Sequence, residues 1–146
     1  MQPTIVVGYH GLDGADDALA FGAELARATG ARLVPAYVIE QVVGRTADVA
    51  RRLLRRPEAI EGGLQLTVRV GASPAAGLAA LAAEREAAAI VLGSSHRAGL
   101  SRVLVGATPE RLLHNATCPV ALAPRGHAAA GRTLGAIGVA YDGRSP

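Results

Sequence analysis

The chain has 146 residues, enough for one domain with a substantial core and too few for two complete ones. Half of the residues are hydrophobic but only 3% are aromatic, so the core must come from Ala, Val and Leu, which favours helices packed closely on a sheet. The net charge of +3 is carried by Arg alone with almost no stacking side chains, which argues against a nucleic-acid binder. No apolar run nears the roughly 20 residues of a membrane span, and MQPTIVVGYH lacks the pattern of a secretory signal, so a cytoplasmic protein is expected.

TIVVGY is a short β-branched run and reads as the first strand, followed by the turn-rich HGLDG. In ADDALAFGAELARATG, Ala15, Ala18, Leu19, Gly22, Leu25 and Ala26 share one helical stripe with Phe21 beside it, and Gly30 suits the stop. Asp13, Asp16 and Asp17 read as acids favouring that helix's N-terminus. ARLVPAYVIE is the second strand, with Pro35 predicting a bulge or a sheet edge because it removes a ladder donor. A helix is expected over roughly 46 to 56, ended by Pro57, with Arg51, Arg52, Arg55 and Arg56 on its solvated face.

LQLTVRVG alternates as a third strand does, and SPAAGLAALAAEREA opens with Ser73 as N-cap and Pro74 at the first helical position. AAIVLG is apolar throughout, as strands covered on both faces are. A helix near 107 to 116 and the strand CPVALAP complete the series, with the lone Cys118 expected as a small buried hydrophobe. The order of elements predicts an α/β fold, a doubly wound, five-stranded, mainly parallel sheet with helices on both faces. Ligands of such sheets bind beyond the carboxyl ends of strands where strand order reverses, so the loops after TIVVGY and AAIVLG are the candidate site.

The second loop runs from Gly93 through SSHRAGLSRVLV to Gly106, where a helix opens. Glycines admit close backbone approach and a helix N-terminus favours anions such as phosphate. Ser94, Ser95 and Thr108 offer hydroxyls, and His96 and Arg97 offer positive charge, although the same composition also suits a plain connection. His10 and His96 meet at one end of the sheet, but no carboxylate or Cys completes a metal set. His114 and His127 read as surface residues, and no nucleophile with a base and an orienting group can be assembled, so an enzyme is not expected.

The segment VLGSSHRAGLSRVLVGATPERLLHNATCPVALAP resembles the C-terminal half of the universal stress protein family, and VRVGASPAAGL and VVGYHG with DDAL resemble its earlier parts. The resemblance covers residues 4 to 124 and is most specific at Gly93, Gly106 and Cys118-Pro119-Val120. It implies a Rossmann-like fold of the adenine nucleotide alpha hydrolase type, a homodimer through the strand 118–124, and ATP or another adenine nucleotide with Mg as ligand. The family's phosphate motif is GxxG, nine residues, then G and Ser or Thr; Gly93 and Gly106 fit it, while His96 and Ala107 replace its second Gly and its hydroxyl. His10 stands where nucleotide-binding members carry an Asp for the ribose, and Val38 is the other residue expected beside the sugar. The implied site is therefore His10, Val38, Gly93, Ser94, His96, Gly106, Ala107 and Thr108, an altered pocket acting as a nucleotide-dependent switch; an interaction scaffold without nucleotide is the alternative.

Residues 125–134, RGHAAAGRTL, read as a linker closing a domain of residues 1–124. Beyond it, Ile137, Val139, Tyr141 and Gly143 repeat Ile5, Val7, Tyr9 and Gly11 at an offset of 132, with Asp142 opposite His10. This predicts that residues 135–146 open a second, truncated unit of a tandem protein, whose strand 135–142 pairs with a sheet edge or another subunit.

Overall fold

The computed structural model describes residues 2–10, 14–40, 64–94, 107–131 and 134–135. The expected helix at 46–56 with its arginines, the loop residues His96 and Gly106, and the strand expected from 136 onward lie outside the described residues. In chain order the elements are β1 (Thr4–Gly8), α1 (Ala15–Thr29), β2 (Arg32–Glu40), β3 (Thr67–Gly71), α2 (Pro74–Glu84), β4 (Ala89–Gly93), α3 (Ala107–Asn115), β5 (Val120–Ala123) and α4 (His127–Ala130). The five strands pair in parallel in the order β3-β2-β1-β4-β5. Strand order thus reverses between β1 and β4, as the alternation of elements predicts.

The apolar runs are explained by that position. All five residues of β1 are buried, and their side chains alternate between two cores. Val6 joins Ile90, Leu92, Leu78, Leu81 and Leu112 under α2 and α3, whereas Ile5, Val7 and Val91 join Ala18 and Ala26 under α1. Small residues bring the helices close: a Cβ on Gly22 would stand 2.5 Å from Val7, and one on Gly77 would stand 2.5 Å from Val38.

Local signals place the helix ends. Gly30 adopts φ 68° at the C-terminus of α1, and the Ser73 hydroxyl accepts a hydrogen bond from the Ala76 N–H at 3.2 Å ahead of Pro74. At the end of α2 the left-handed position falls to Glu86, φ 47°, with the Ala87 N–H reaching the Ala82 carbonyl at 2.8 Å. The expected bulge or edge at Pro35 is corrected. β2 is an internal strand, and its register with β1 runs unbroken through Val7↔Pro35. The ladder to β3 begins one residue later, at Ala36↔Thr67, which is why the missing N–H is tolerated there.

The other correction concerns His127, expected at the surface. It is buried at 9% exposure, its ring edge-on to Phe21 with centroids 5.2 Å apart and planes at 87°. Its Nε2 lies 3.3 Å from a Glu24 carboxylate oxygen. Asp17, read from sequence as a helix-start acid, is also buried, and its two oxygens accept hydrogen bonds from the Gly126 and Ala128 N–H groups at 2.9 and 2.8 Å. The stretch read as a linker therefore begins with a four-residue helix fastened to α1. Alanine-rich sequence gave no apolar stripe to find, because the fastening is polar. His114 is exposed, as expected.

Candidate functional site at the strand-order reversal

β1 and β4 leave the sheet side by side, in the register Val7↔Val91. Beyond β1 the Tyr9 N–H donates to the Ala36 carbonyl at 2.8 Å, and His10 follows in an exposed position. Beyond β4 the Ser94 N–H donates to the Ala123 carbonyl at 3.2 Å, tying this end to β5. The ends of three neighbouring strands are thus fixed by backbone bonds, leaving side chains free to vary.

Gly93 is the tightest point. A Cβ there would stand 2.2 Å from the carbonyl oxygen of Gly14 and 2.8 Å from its carbonyl carbon. Gly14 in turn has φ 85°, a conformation open to glycine, and immediately precedes α1. Two glycines therefore let the start of α1 lie against the end of β4. Sequence reasoning found Gly93 but missed Gly14; the turn-rich HGLDG was the available signal, without a way to tell which glycine carries the contact.

The structure places the remaining expected residues unequally. Ser94 is half-buried beside Gly93, and Ala107 and Thr108 form the first turn of α3, exposed and half-buried respectively. Val38 lies in β2 opposite Arg69 and spends its side chain against Gly77 of α2, so it is a packing residue of the α2 face. His96 and Gly106 are outside the described residues. Cys118 is half-buried against the α2/α3 core, and burial pushes its thiol above the ordinary range, which keeps it an unreactive apolar side chain.

A different opening lies at the amino end of the sheet. It is a wide cleft of about 500 Å³ lined by Gln2, Thr4, Arg32, Glu84, Arg85 and Glu86. Its arginines and glutamates are solvent-exposed, and Glu84 is ion-paired with Arg69.

Fold and site together define a doubly wound α/β domain with a glycine-lined junction at the carboxyl ends of its central strands. The universal stress protein family model matches residues 1–124. The chain belongs to the universal stress protein family. It is 40% identical over 88 residues to a universal stress protein of Mycobacterium tuberculosis, an alignment covering 59% of this chain and 29% of that protein. The aligned segment spans under a third of the length of these curated relatives. Among solved structures, a universal stress protein in complex with cAMP matches with a TM-score of 0.56 at 25% identity, over 83% of this chain and 95% of that one. The Archaeoglobus fulgidus universal stress protein in complex with dAMP matches with a TM-score of 0.58 at 22% identity, over 84% and 97%.

Proposed function

We propose that this chain is a universal stress protein module that binds an adenine nucleotide at the junction of β1 and β4 and acts by binding, without catalysis. The observation that carries the reading is the contact between Gly93 and Gly14, which brings bare backbone to the carboxyl ends of β1 and β4. The cAMP and dAMP complexes of similar proteins support the ligand class. In this reading the phosphates, with Mg²⁺ when the ligand is ATP, lie between Gly93, Ser94 and the start of α3 at Ala107 and Thr108, which follows Gly106 in sequence. The sugar lies toward His10 and the β2 end near Val38. Such a ligand shifts a conformational equilibrium only by its differential affinity, so the module works as a switch in the cytoplasm, as a homodimer through residues 118–124.

Three departures weaken the site. Ala107 withholds a hydroxyl, worth about 1.5 to 3 kcal/mol toward a charged phosphate, although Thr108 stands beside it. A neutral imidazole at His10 accepts one hydrogen bond where a carboxylate offers two oxygens. His96 puts a ring where the motif has bare backbone. These same residues favour the second reading, a scaffold that takes no nucleotide.

Isothermal titration with ATP, ADP and AMP in the presence of Mg²⁺ separates the two. The nucleotide reading expects saturable heat, strengthened about tenfold or more in the variant His10→Asp, His96→Gly, Ala107→Ser. No heat at millimolar ATP in the wild-type protein ends the nucleotide reading for this chain, and no gain in the triple variant means that the pocket is mapped wrongly.

A further inference from the structure

The polar fastening of α4 to α1 needs an explanation that stability does not supply. A four-residue helix does not persist alone, because helix nucleation is unfavourable and its few hydrogen bonds do not offset it. α4 exists because Asp17 accepts hydrogen bonds from two of its first N–H groups and because His127 is buried against Phe21 and Glu24. The fastening is also imperfect. Glu24 Oε2 and His127 Nε2 are buried without a hydrogen-bond partner among the described residues, although Nε2 lies 3.3 Å from Glu24 Oε1. Buried polar atoms left in this way oppose burial and offset part of what Asp17 and the Phe21 contact contribute to docking.

The contacts around α4 form a closed ring that includes the candidate site. Gly93 abuts Gly14, whose carbonyl accepts the Ala18 N–H at 3.1 Å and so belongs to the first turn of α1. Asp17, in that same turn, holds Gly126 and Ala128. The His127 N–H returns to the Pro124 carbonyl at 3.2 Å, and neighbouring Ala123 accepts the Ser94 N–H, one residue beyond Gly93. The Gly93–Gly14 contact leaves no slack, so a shift at the end of β4 must be passed to α1 or to β5. Both routes lead to α4.

We propose that α4 is a latch, held by Asp17, Glu24 and His127, that couples occupancy of the β1/β4 junction to the docking of residues 127–130 on α1. The proposal rests on the nucleotide reading above. A ligand held against Gly93 and Ser94 fixes the same backbone the latch fixes, so each lowers the ordering cost of the other, and binding tightens the latch. Coupling of this kind is reciprocal: the latch strengthens nucleotide binding by the factor by which nucleotide strengthens the latch.

The test is amide hydrogen exchange on the full chain with and without ATP and Mg²⁺, with titration calorimetry alongside. ATP is expected to slow exchange at Ala128–Ala130 about fivefold or more. Asp17→Ala is expected to speed it about tenfold or more while leaving Ile90 and Val91 of β4 protected, and to weaken ATP binding by the factor seen for ATP on the latch. Should the alanine variant lose protection in β4, Asp17→Asn, which keeps one acceptor oxygen, is expected to give an intermediate speeding with β4 intact. Heat of ATP binding without any change at 128–130, or with unchanged affinity in the Asp17 variants, overturns the latch and leaves the nucleotide reading standing. Absence of heat in the wild-type protein overturns both.

Discussion

The two ends of the parallel sheet are built on opposite principles. At the amino end the strands open into a cleft of about 500 Å³ lined with side chains, including Arg32, Arg85, Glu84 and Glu86. At the carboxyl end backbone meets backbone: Gly93 against Gly14, Ser94 bonded to Ala123, Tyr9 bonded to Ala36. The amino end is set by exposed side chains, which weak surface ion pairs hold loosely, whereas the carboxyl end is set by backbone bonds and a glycine–glycine contact that tolerate little displacement. In a doubly wound sheet the second end is also the one where strand order reverses, which is where ligands of such sheets bind.

This contrast can be broken by substitution, and the carboxyl end should be the sensitive one. Gly93→Ala drives a Cβ to 2.2 Å from the Gly14 carbonyl, so the start of α1 or the end of β4 must move. A loss of about 2 to 3 kcal/mol in urea unfolding is expected, with ATP affinity reduced about tenfold or more. At the amino end, Glu86→Gly should move the other way. Relieving a left-handed glutamate at φ 47° is expected to add about 1 kcal/mol of stability, with titration showing unchanged nucleotide affinity. The smallest effect belongs to Arg32→Ala and Arg85→Ala, both exposed, which should fall within about 0.5 kcal/mol of wild type and leave ATP binding as it was.

How much of this was legible in the chain depends on how local the signal is. Gly30, Ser73 and Pro74 act on their own helix ends, and the apolar run of AAIVLG follows from burial on both faces, so these parts of the fold read directly. Pro35 was misjudged because tolerance there depends on where β3 starts, which is a register fact with no trace in β2 itself. His127 was misjudged because its partners Phe21 and Glu24 are distant in sequence and no apolar periodicity marks the contact. Asp17 does sit in the first turn of α1 as read, but its bonds to Gly126 and Ala128 left no local sign for the same reason. At the site, Gly93 was found through its spacing from Gly106, whereas Gly14 acquires its role only when the β1–α1 junction is laid on β4. Val38 lies on β2 as read, half-buried with its side chain against Gly77, a contact between β2 and α2 with no mark in the sequence.

The central claim is that ligand recognition belongs to the carboxyl end. Its most direct test is backbone amide chemical-shift mapping of the isotopically labelled chain during titration with ATP and Mg²⁺. Saturable shifts concentrated at His10, Gly14, Gly93, Ser94 and Thr108, with Gln2, Thr4, Arg32 and Arg85 unmoved, are the predicted result. Shifts concentrated at Gln2, Thr4, Arg32, Arg85 and Glu86 would contradict it.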